Sequence, residues 1–490
     1  MNSSVRRLFR LDNVARFLWA VVMLTLPVTS FRYFPFMGDA TYVRPLSAYP
    51  LALLLIVLLI QFLRDHKRLT WAPAFTPLLA FVLAALAATV IGVLLGPLVL
   101  RGQAYWGRVI RAWATLIIGL AFFVAAVWMN RSEDELRFTV KWMLAGFVID
   151  ILWSGVQGVT FYLHILPKPL VTLWQRAFSM RELIRTDRIS GMAYEPAWLA
   201  GEIATIYLPW LFASLLTRVR MTRFKWLELI LLACAALLLL ATFSRGGLAT
   251  VAITVVLTLL FVGGEYIRAA WNWFVSGFHR TKGVILRLAM IAAVVVTALG
   301  ALWFLNRKNY ISRLWNTQAS SVQDFLIQNS AGARVAYIWG ALGAYRDHPW
   351  MGVGLGASGF YIYQNLPDWV MTFVPEIASQ LSPASTLYPN PKNLYVRLLA
   401  ETGLVGFFLF AAFQLFILGD MVAALKQPTP IWRYLGIAAL FSWLGIIFYN
   451  MTQDSFATPN IWLNLGIFVG MAALSLQAAA KPRESEPSIA

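Results

Sequence analysis

Apolar runs separated by short polar connections make up most of this chain. Each run is long enough to form a helix across the hydrocarbon core of a bilayer, which takes about 20 residues. The pattern predicts about twelve such helices. Their predicted starts lie near Val14, Leu46, Phe75, Val109, Phe138, Ala197, Trp226, Gly247, Val284, Leu404, Tyr434 and Ile461. We therefore expect an all-α polytopic membrane protein.

One long polar segment interrupts this pattern between the ninth and tenth runs. Within it, the stretch from Ser330 to Asp347 has apolar residues at helical spacing and a serine at its start that suits an N-cap. The stretch is too short and too mixed to cross a bilayer, so it predicts a helix along the membrane surface. The predicted organisation is transmembrane helices 1–9 over residues 1–305, an extracytoplasmic loop region over 306–400, transmembrane helices 10–12 over 401–478 and a cytoplasmic tail over 479–490.

Composition agrees with a membrane protein. Hydrophobic residues make up 60% and charged residues 13% of the chain, whereas soluble domains carry about 25% charged residues. The formal charge of +18 comes from short basic clusters between apolar runs, which favours topology signals and anion sites over a nucleic-acid surface. The single cysteine and four histidines lack the spacing of a metal site, so we expect neither metal nor cofactor.

Basic residues beside the apolar runs predict the orientation, because Lys and Arg are retained on the cytoplasmic side. The clusters alternate correctly if both termini are cytoplasmic. The outer segments are then unexpectedly basic, with arginines such as Arg101, Arg108 and Arg188 among them. An anionic ligand at the outer surface explains cations kept against this bias. Contacts with lipid phosphates or with neighbouring carboxylates are the alternative.

Three motifs in the second half of the chain carry candidate chemistry. The first, Ser244-Arg245-Gly246-Gly247, predicts a tight turn with amide donors at the start of the next helix, which suits a phosphate. Arg245 extending to lipid headgroups is the alternative. Arg334 lies one turn into the predicted surface helix, where a solvated charge is the alternative. The glycines of Gly352-Val353-Gly354-Leu355-Gly356 follow no strand, so they indicate a turn or close approach to a ligand rather than a dinucleotide site.

The order of these motifs resembles the bacterial O-antigen ligase and O-antigen polymerase superfamily. The resemblance covers roughly residues 242–406, from the Ser-Arg-Gly turn to Asn393-Leu394-Tyr395 and the Ala-Glu-Thr-Gly-Leu-Val-Gly segment over 400–406. It implies a metal-independent, membrane-embedded glycosyltransferase of the C type in the bacterial inner membrane. Such enzymes move a glycan from an undecaprenyl-diphosphate carrier at the outer leaflet to an acceptor hydroxyl. The implied partners are this lipid-linked oligosaccharide, a glycan or lipid-linked glycan acceptor and membrane lipids, with no nucleic acid.

The resemblance also implies roles for single residues. Arg245 and Arg334 match arginines that handle the diphosphate. Lys392-Asn393 stands where the family usually has His-Asn, and that histidine is the proposed catalytic residue of ligases. The departure slightly favours polymerisation over ligation. Lys392 remains able to bind the leaving diphosphate, or to act as a base if neighbouring arginines lower its pKa.

A second cluster, Arg188 to Pro196, resembles the polymerase branch. Glu195 would lie at a helix start, either as the base for the acceptor hydroxyl or only as a capping carboxylate. We assign Arg245, Arg334, Lys392 and Glu195 to catalysis. The residues assigned to substrate binding are Arg188, Ser244, Tyr337, Asn393 and Tyr395. For the two tyrosines, which could stack on sugars, interfacial anchoring is the alternative.

A flippase for lipid-linked oligosaccharides or a polysaccharide transporter is the rival function. Asp150 and Glu202 are the main charges within predicted spans, as transport pathways require. The longest loop, however, follows the ninth span rather than dividing the chain into two halves.

Overall fold

The computed structural model describes residues 11–33, 42–65, 72–95, 98–183, 187–224, 226–279, 281–306, 312, 319–329, 331–370, 374, 377–379, 385 and 388–480. These residues are nearly all helical. In chain order the α-helices are α1 (Leu11–Thr25), α2 (Ala48–Asp65), α3 (Phe75–Leu94), α4 (Tyr105–Met129), α5 (Glu133–Phe161), α6 (Lys168–Arg176), α7 (Pro196–Glu202), α8 (Leu208–Thr217), α9 (Leu227–Ala241), α10 (Arg245–Val262), α11 (Gly264–Ser276), α12 (Thr281–Asn306), α13 (Val322–Gln328), α14 (Gly332–Asp347), α15 (Gly359–Ile362), α16 (Leu394–Leu425), α17 (Pro430–Tyr449) and α18 (Leu463–Ala480). A short antiparallel hairpin, β1 (Val99–Leu100) and β2 (Gln103–Ala104), precedes α4.

Helices long and apolar enough to cross a bilayer confirm the prediction of an all-α membrane protein. In the described part of the chain there are eight of them, one of which runs from Pro196 to Thr217 through α7 and α8. Shorter apolar helices cover Ala48–Arg64, Leu227–Ala241 and Pro459–Ala473. Every predicted apolar run overlaps a helix. The count of twelve spans, the orientation and the domain boundaries stay predictions.

Helices α4 and α18 pack together in the interior of the bundle through glycines. A Cβ on Gly119 of α4 would lie 2.1 Å from Nε1 of Trp462, and one on Gly466 of α18 would lie 2.6 Å from the carbonyl oxygen of Phe123. Since neither position has room for a side chain, the two backbones can approach closely. Trp462 is fully buried and donates Nε1 to the carbonyl of Phe456 at 2.7 Å. This contact orders the chain just before α18.

A π-helical turn, Ile203–Tyr207, joins α7 to α8. Its carbonyls are satisfied by side chains of other helices, because Asn464 donates to Thr205 and Ile206 at 2.7 and 3.1 Å and Ser442 donates to Thr205 at 2.7 Å. Such bulges recur at functional sites. Here the turn ties α7, which begins next to Glu195, to α17 and α18.

Helix α16 is kinked at Gly403, whose backbone has φ 63° and ψ −166°. The preceding loop fills the break, since the amides of Leu404 and Val405 donate to the carbonyls of Pro349 and Trp350 at 2.8 and 3.2 Å. The helix begins at Leu394, before the apolar run predicted from Leu404, and crosses the predicted boundary between residues 400 and 401. Its polar first turns are helical because they pack on other elements, which hydropathy alone does not show.

Candidate functional site

The loop between α17 and α18 is the meeting point of the candidate residues. We call residues 450–454 the connecting loop. Its main-chain oxygens accept hydrogen bonds from two other segments of the chain, the start of α16 and the first turn of α14. The donors are the amide of Leu394 to Asn450 at 2.9 Å, Nδ2 of Asn393 to Met451 at 3.1 Å, Nη1 of Arg334 to Thr452 at 3.1 Å and Nη1 of Arg397 to Asp454 at 2.6 Å.

Lys392 is held at this loop by its backbone. Its amide donates to Oδ2 of Asp454 at 3.0 Å, and its φ of 51° lies in the left-handed region. Non-glycine residues adopt that region rarely. The ammonium lies 5.4 Å from the centroid of the Tyr337 ring, within the range of a cation–π contact. Lys392 and Tyr337, predicted separately, therefore lie side by side, although Tyr337 itself is buried rather than open to a ligand.

Asn393 is the N-cap of α16. Its Oδ1 accepts the amides of Tyr395 and Val396 at 3.0 and 3.1 Å, which satisfies donors that the first helical turn leaves unpaired. Tyr395 donates its hydroxyl to the carbonyl of Ile447 at 2.9 Å. Both side chains, assigned from sequence to substrate binding, thus make structural contacts, Asn393 within α16 and with the connecting loop, and Tyr395 with α17.

Replacing Asn393 with alanine should lower the free energy of unfolding by about 1 to 2 kcal/mol, because the cap of α16 is lost. Ser132→Ala is the matched control, since Ser132 caps α5 by accepting the amide of Glu135 at 3.2 Å. Thermal unfolding in detergent and glycosyl transfer should be measured on both variants. We expect both variants to lose a comparable amount of stability. Only Asn393→Ala should also show reduced transfer. Unaltered transfer in Asn393→Ala would contradict a role of this cap in placing Lys392.

Arg334 lies in the first turn of α14, as the sequence predicted. The helix begins at Gly332 with no side-chain cap, and Ser330, the expected cap, lies outside the described residues. Arg334 is exposed, and its Nη1 donates to the carbonyl of Thr452. Its remaining guanidinium donors face solvent-accessible space and suit an anion.

The turn before α10 places Arg245 at the same end of the bundle. Ser244 is the N-cap and accepts the amide of Gly247 at 3.2 Å. The half-buried Arg245 donates to both the side chain, at 2.7 Å, and the carbonyl of Asn329, which precedes α14. A Cβ on Gly246 would lie 3.6 Å from Cγ2 of Thr452. The Arg245 turn and Arg334 therefore both adjoin the connecting loop.

The segment 188–195 lies on α5 and carries the other two candidates. Gln157 of α5 accepts the amides of Ser190 and Gly191, both at 3.0 Å. Arg188 donates to the carbonyls of Thr242 and Phe243 at 2.8 and 3.3 Å, where cations stabilise a helix end.

Glu195 occupies the N-cap position of α7 as predicted, but its side chain makes no capping hydrogen bond. The capping alternative therefore does not account for this carboxylate. Glu195 and Arg334 both interact electrostatically with Tyr449 at the end of α17. This shared neighbour places the candidate base on the same side of the bundle as a candidate cation.

Asp454 is the carboxylate at the end of the connecting loop. Burial raises its pKa, while the Arg397 guanidinium and the amide of Lys392 oppose the shift. Asp454 therefore takes up a proton at a higher pH than an exposed aspartate. Arg397 is itself paired with Glu401 at 2.9 Å in α16.

The glycine track over 352–356 approaches other segments of the protein closely. Cβ atoms on Gly352 and Gly354 would lie 2.5 Å from the backbone of Glu401 and 2.2 Å from the hydroxyl of Tyr105. The amides of Val353 and Gly354 donate to Ala400 and Glu401, both at 3.0 Å. The close approach that the sequence predicted is present, and its objects are α16 and α4. Within the described residues no His, Cys, Asp or Glu cluster is placed to hold a metal ion.

Comparison with known families identifies the segment that carries most of these residues. Residues 230–411 match the O-antigen ligase family. This confirms the resemblance predicted from the sequence. The O-antigen ligase match includes Arg245, Arg334 and Lys392 and supports a ligase- or polymerase-like glycosyltransferase function in a multi-pass membrane protein. A comparison with curated proteins found no match.

The connecting loop lies outside the O-antigen ligase match and was missed by sequence reasoning, as were Asp454 and Arg397 in their present roles. A signal existed, because Asn450-Met451-Thr452-Gln453-Asp454 is a short polar run between two apolar ones. Only contacts between distant segments show that this run joins the candidate residues.

Proposed function

We propose that this protein is a polymerase-like glycosyltransferase. It moves a glycan from an undecaprenyl-diphosphate carrier to an acceptor sugar hydroxyl at the outer face of the bacterial inner membrane, with polymerisation favoured over ligation. The observation that supports it is the gathering of Arg245, Arg334 and Lys392 around the connecting loop at one end of the bundle. In this proposal the segment 306–400 is extracytoplasmic and the tail 479–490 cytoplasmic.

The three cations would stabilise the leaving group. When the bond between the anomeric carbon and the phosphate oxygen breaks, its electron pair stays on the diphosphate, where charge develops. Arg245 and Arg334 present planar guanidinium donors that match phosphate oxygens, and Lys392 adds a point charge. No metal is needed for this step in the proposal, because guanidinium and ammonium groups supply the positive charge.

Glu195 would act as the base for the acceptor. The acceptor oxygen forms the new bond to the anomeric carbon, and the proton it loses passes to the Glu195 carboxylate. The absence of a capping bond from this side chain supports the assignment. Asp454 would act as a positioning residue that holds the backbone of Lys392.

The role of Lys392 as a cation can be tested by Lys392→His. Transfer should fall about 10 to 150-fold at about pH 8, since one charge-assisted hydrogen bond is lost. The ratio of variant to wild-type rate should then rise as the pH falls through about 6.5, where imidazole gains its charge. Lys392→Arg should retain more activity than Lys392→Gln at every pH. Equal rates for Lys392→Gln and wild type would contradict the role.

A direct assay tests the function as a whole. Purified protein in nanodiscs would be incubated with an undecaprenyl-diphosphate oligosaccharide, and products would be separated by chain length. Polymerisation predicts a ladder of longer lipid-linked glycans with release of undecaprenyl diphosphate. Transfer only to a lipid A core acceptor would favour ligation. Release of neither product with any lipid-linked donor would overturn the proposal.

One observation keeps transport as a second candidate. Asp150 and Glu202 are buried inside the bundle with 0% and 1% of their surfaces exposed, and they interact with each other electrostatically. Buried carboxylates within spans mark many transport pathways. Movement of a labelled lipid-linked donor across proteoliposomes without glycan transfer would favour this function. Transfer without such movement would exclude it.

A further inference from the structure

Three arginines lie in the β1–β2 turn and in the first turns of α4, and we call them the α4 arginine cluster: Arg101, Arg108 and Arg111. Nη1 of Arg108 and Nη1 of Arg111 both donate to Oε1 of Gln103, at 3.2 and 3.4 Å. Arg101 donates to the carbonyl of Ser385 at 2.8 Å. Two guanidinium groups therefore share one neutral amide oxygen. An uncharged acceptor is a weak partner for two charges.

Aromatic rings hold these guanidinium groups in place. Arg108 lies 3.8 Å from the centroid of the Tyr388 ring, and Arg101 lies 5.1 Å from that of Tyr363. The rings fix the planes of the two guanidinium groups without neutralising them. Nε of Arg108 is buried and has no hydrogen-bond partner within the described part of the chain. A donor left unpaired in this way suits a ligand that accepts hydrogen bonds.

Within the described part of the chain, the charges of the α4 arginine cluster are only partly balanced by carboxylates. Arg108 experiences repulsion from Arg111 and Arg397. Glu401 attracts Arg108, but that carboxylate already pairs with Arg397 at 2.9 Å. Among the described residues no carboxylate forms an ion pair with the three arginines of the cluster. Like charges held together cost free energy that an anionic ligand would offset.

The location of the cluster indicates which anion. Arg397 interacts electrostatically with Arg108 and donates to the carbonyl of Asp454 in the connecting loop, which links the cluster to the candidate site. Its arginines come from the β1–β2 turn and α4, whereas the proposed donor-binding residues come from α10, α14 and the segment before α16. We propose that the α4 arginine cluster binds a phosphate group of the acceptor glycolipid. This inference rests on the proposed transferase function.

The test compares two acceptors that cannot act as donors. Both carry the same oligosaccharide, one on a lipid monophosphate and one on an uncharged alkyl chain. Wild-type protein in nanodiscs of neutral lipid should have a KM for the phosphate acceptor about 10-fold or more below that for the uncharged one. Arg108→Gln/Arg111→Gln should remove this difference while the donor KM stays unchanged. Arg111→Gln alone, which leaves the Tyr388 contact intact, should reduce the difference.

Binding measured without turnover separates this inference from the transferase function. The phosphate acceptor should bind wild-type protein more tightly than the double variant even if no transfer is detected. Arg176→Gln, at an exposed arginine paired with Glu182, is the control and should behave as wild type. Equal KM values for both acceptors in wild type would overturn the proposal. A changed donor KM in the double variant would also overturn it. Displacement of the phosphate acceptor by phosphatidylglycerol at equal concentration would overturn it too, because it would indicate a phospholipid site.

Discussion

The rate of glycosyl transfer by the double variant Arg245→Gln/Arg334→Gln should be about 10² to 10⁴ times lower than that of the wild type. Each charge-assisted hydrogen bond to a phosphate oxygen contributes about 1.5 to 3 kcal/mol, and each such loss slows the reaction by about 10 to 150-fold. If the two arginines contact different oxygens of the diphosphate, their effects multiply. Initial rates with an undecaprenyl-diphosphate oligosaccharide at saturating acceptor measure the loss.

Matched variants separate chemistry from folding in this experiment. Within the described residues Arg334 makes a single hydrogen bond, to Thr452, so Arg334→Gln should leave the folded yield unchanged. Arg245 makes two contacts with Asn329. Asn329→Ala removes the side-chain partner but keeps the guanidinium, and it should reduce transfer less than Arg245→Gln. Wild-type rates in both single variants would remove these arginines from the mechanism.

Gly403→Ala should prevent correct packing of α16. The backbone at Gly403 has φ 63° and ψ −166°, a conformation that is essentially restricted to glycine. An added Cβ would lie 2.2 Å from the carbonyl oxygen of Trp350 and 2.3 Å from its carbonyl carbon. Backbone strain should cost about 1 to 3 kcal/mol and overpacking about 1 to 3 kcal/mol. Together they predict that the free energy of unfolding falls by about 2 to 6 kcal/mol.

The control for this variant lies in the same helix. Gly419→Ala adds the same methyl group where nothing lies within 4 Å, so its stability should be unchanged or slightly higher. Thermal unfolding and monodisperse yield in detergent compare the two variants. Since residues 349–354 fill the break at Gly403, the glycine variant should also lose transfer. A Gly403→Ala protein as stable as Gly419→Ala would show that the break in α16 is not required.

Hydropathy predicted where the apolar helices lie, because burying an apolar run in lipid requires no partner from the rest of the chain. The same reasoning placed the start of the tenth run at Leu404, whereas α16 begins at Leu394. Its first turns carry Arg397 and Glu401, which form an ion pair across one helical turn, and Arg397 also binds the connecting loop. A polar helical segment of this kind is stabilised by tertiary contacts that hydropathy does not report.

For the candidate site, the sequence by itself determined the residue types and their order, through the Ser-Arg-Gly turn, the arginine that opens α14 and Lys392-Asn393. Glycosyl transfer from a diphosphate needs cations, and cations kept against the positive-inside bias are visible in a sequence. Only the tertiary structure decided that these segments meet at the connecting loop, that the glycine track packs against α16 and α4, and that Glu195 has no capping bond. Those outcomes depend on backbone hydrogen bonds between segments far apart in the chain, and any residue type can make such bonds.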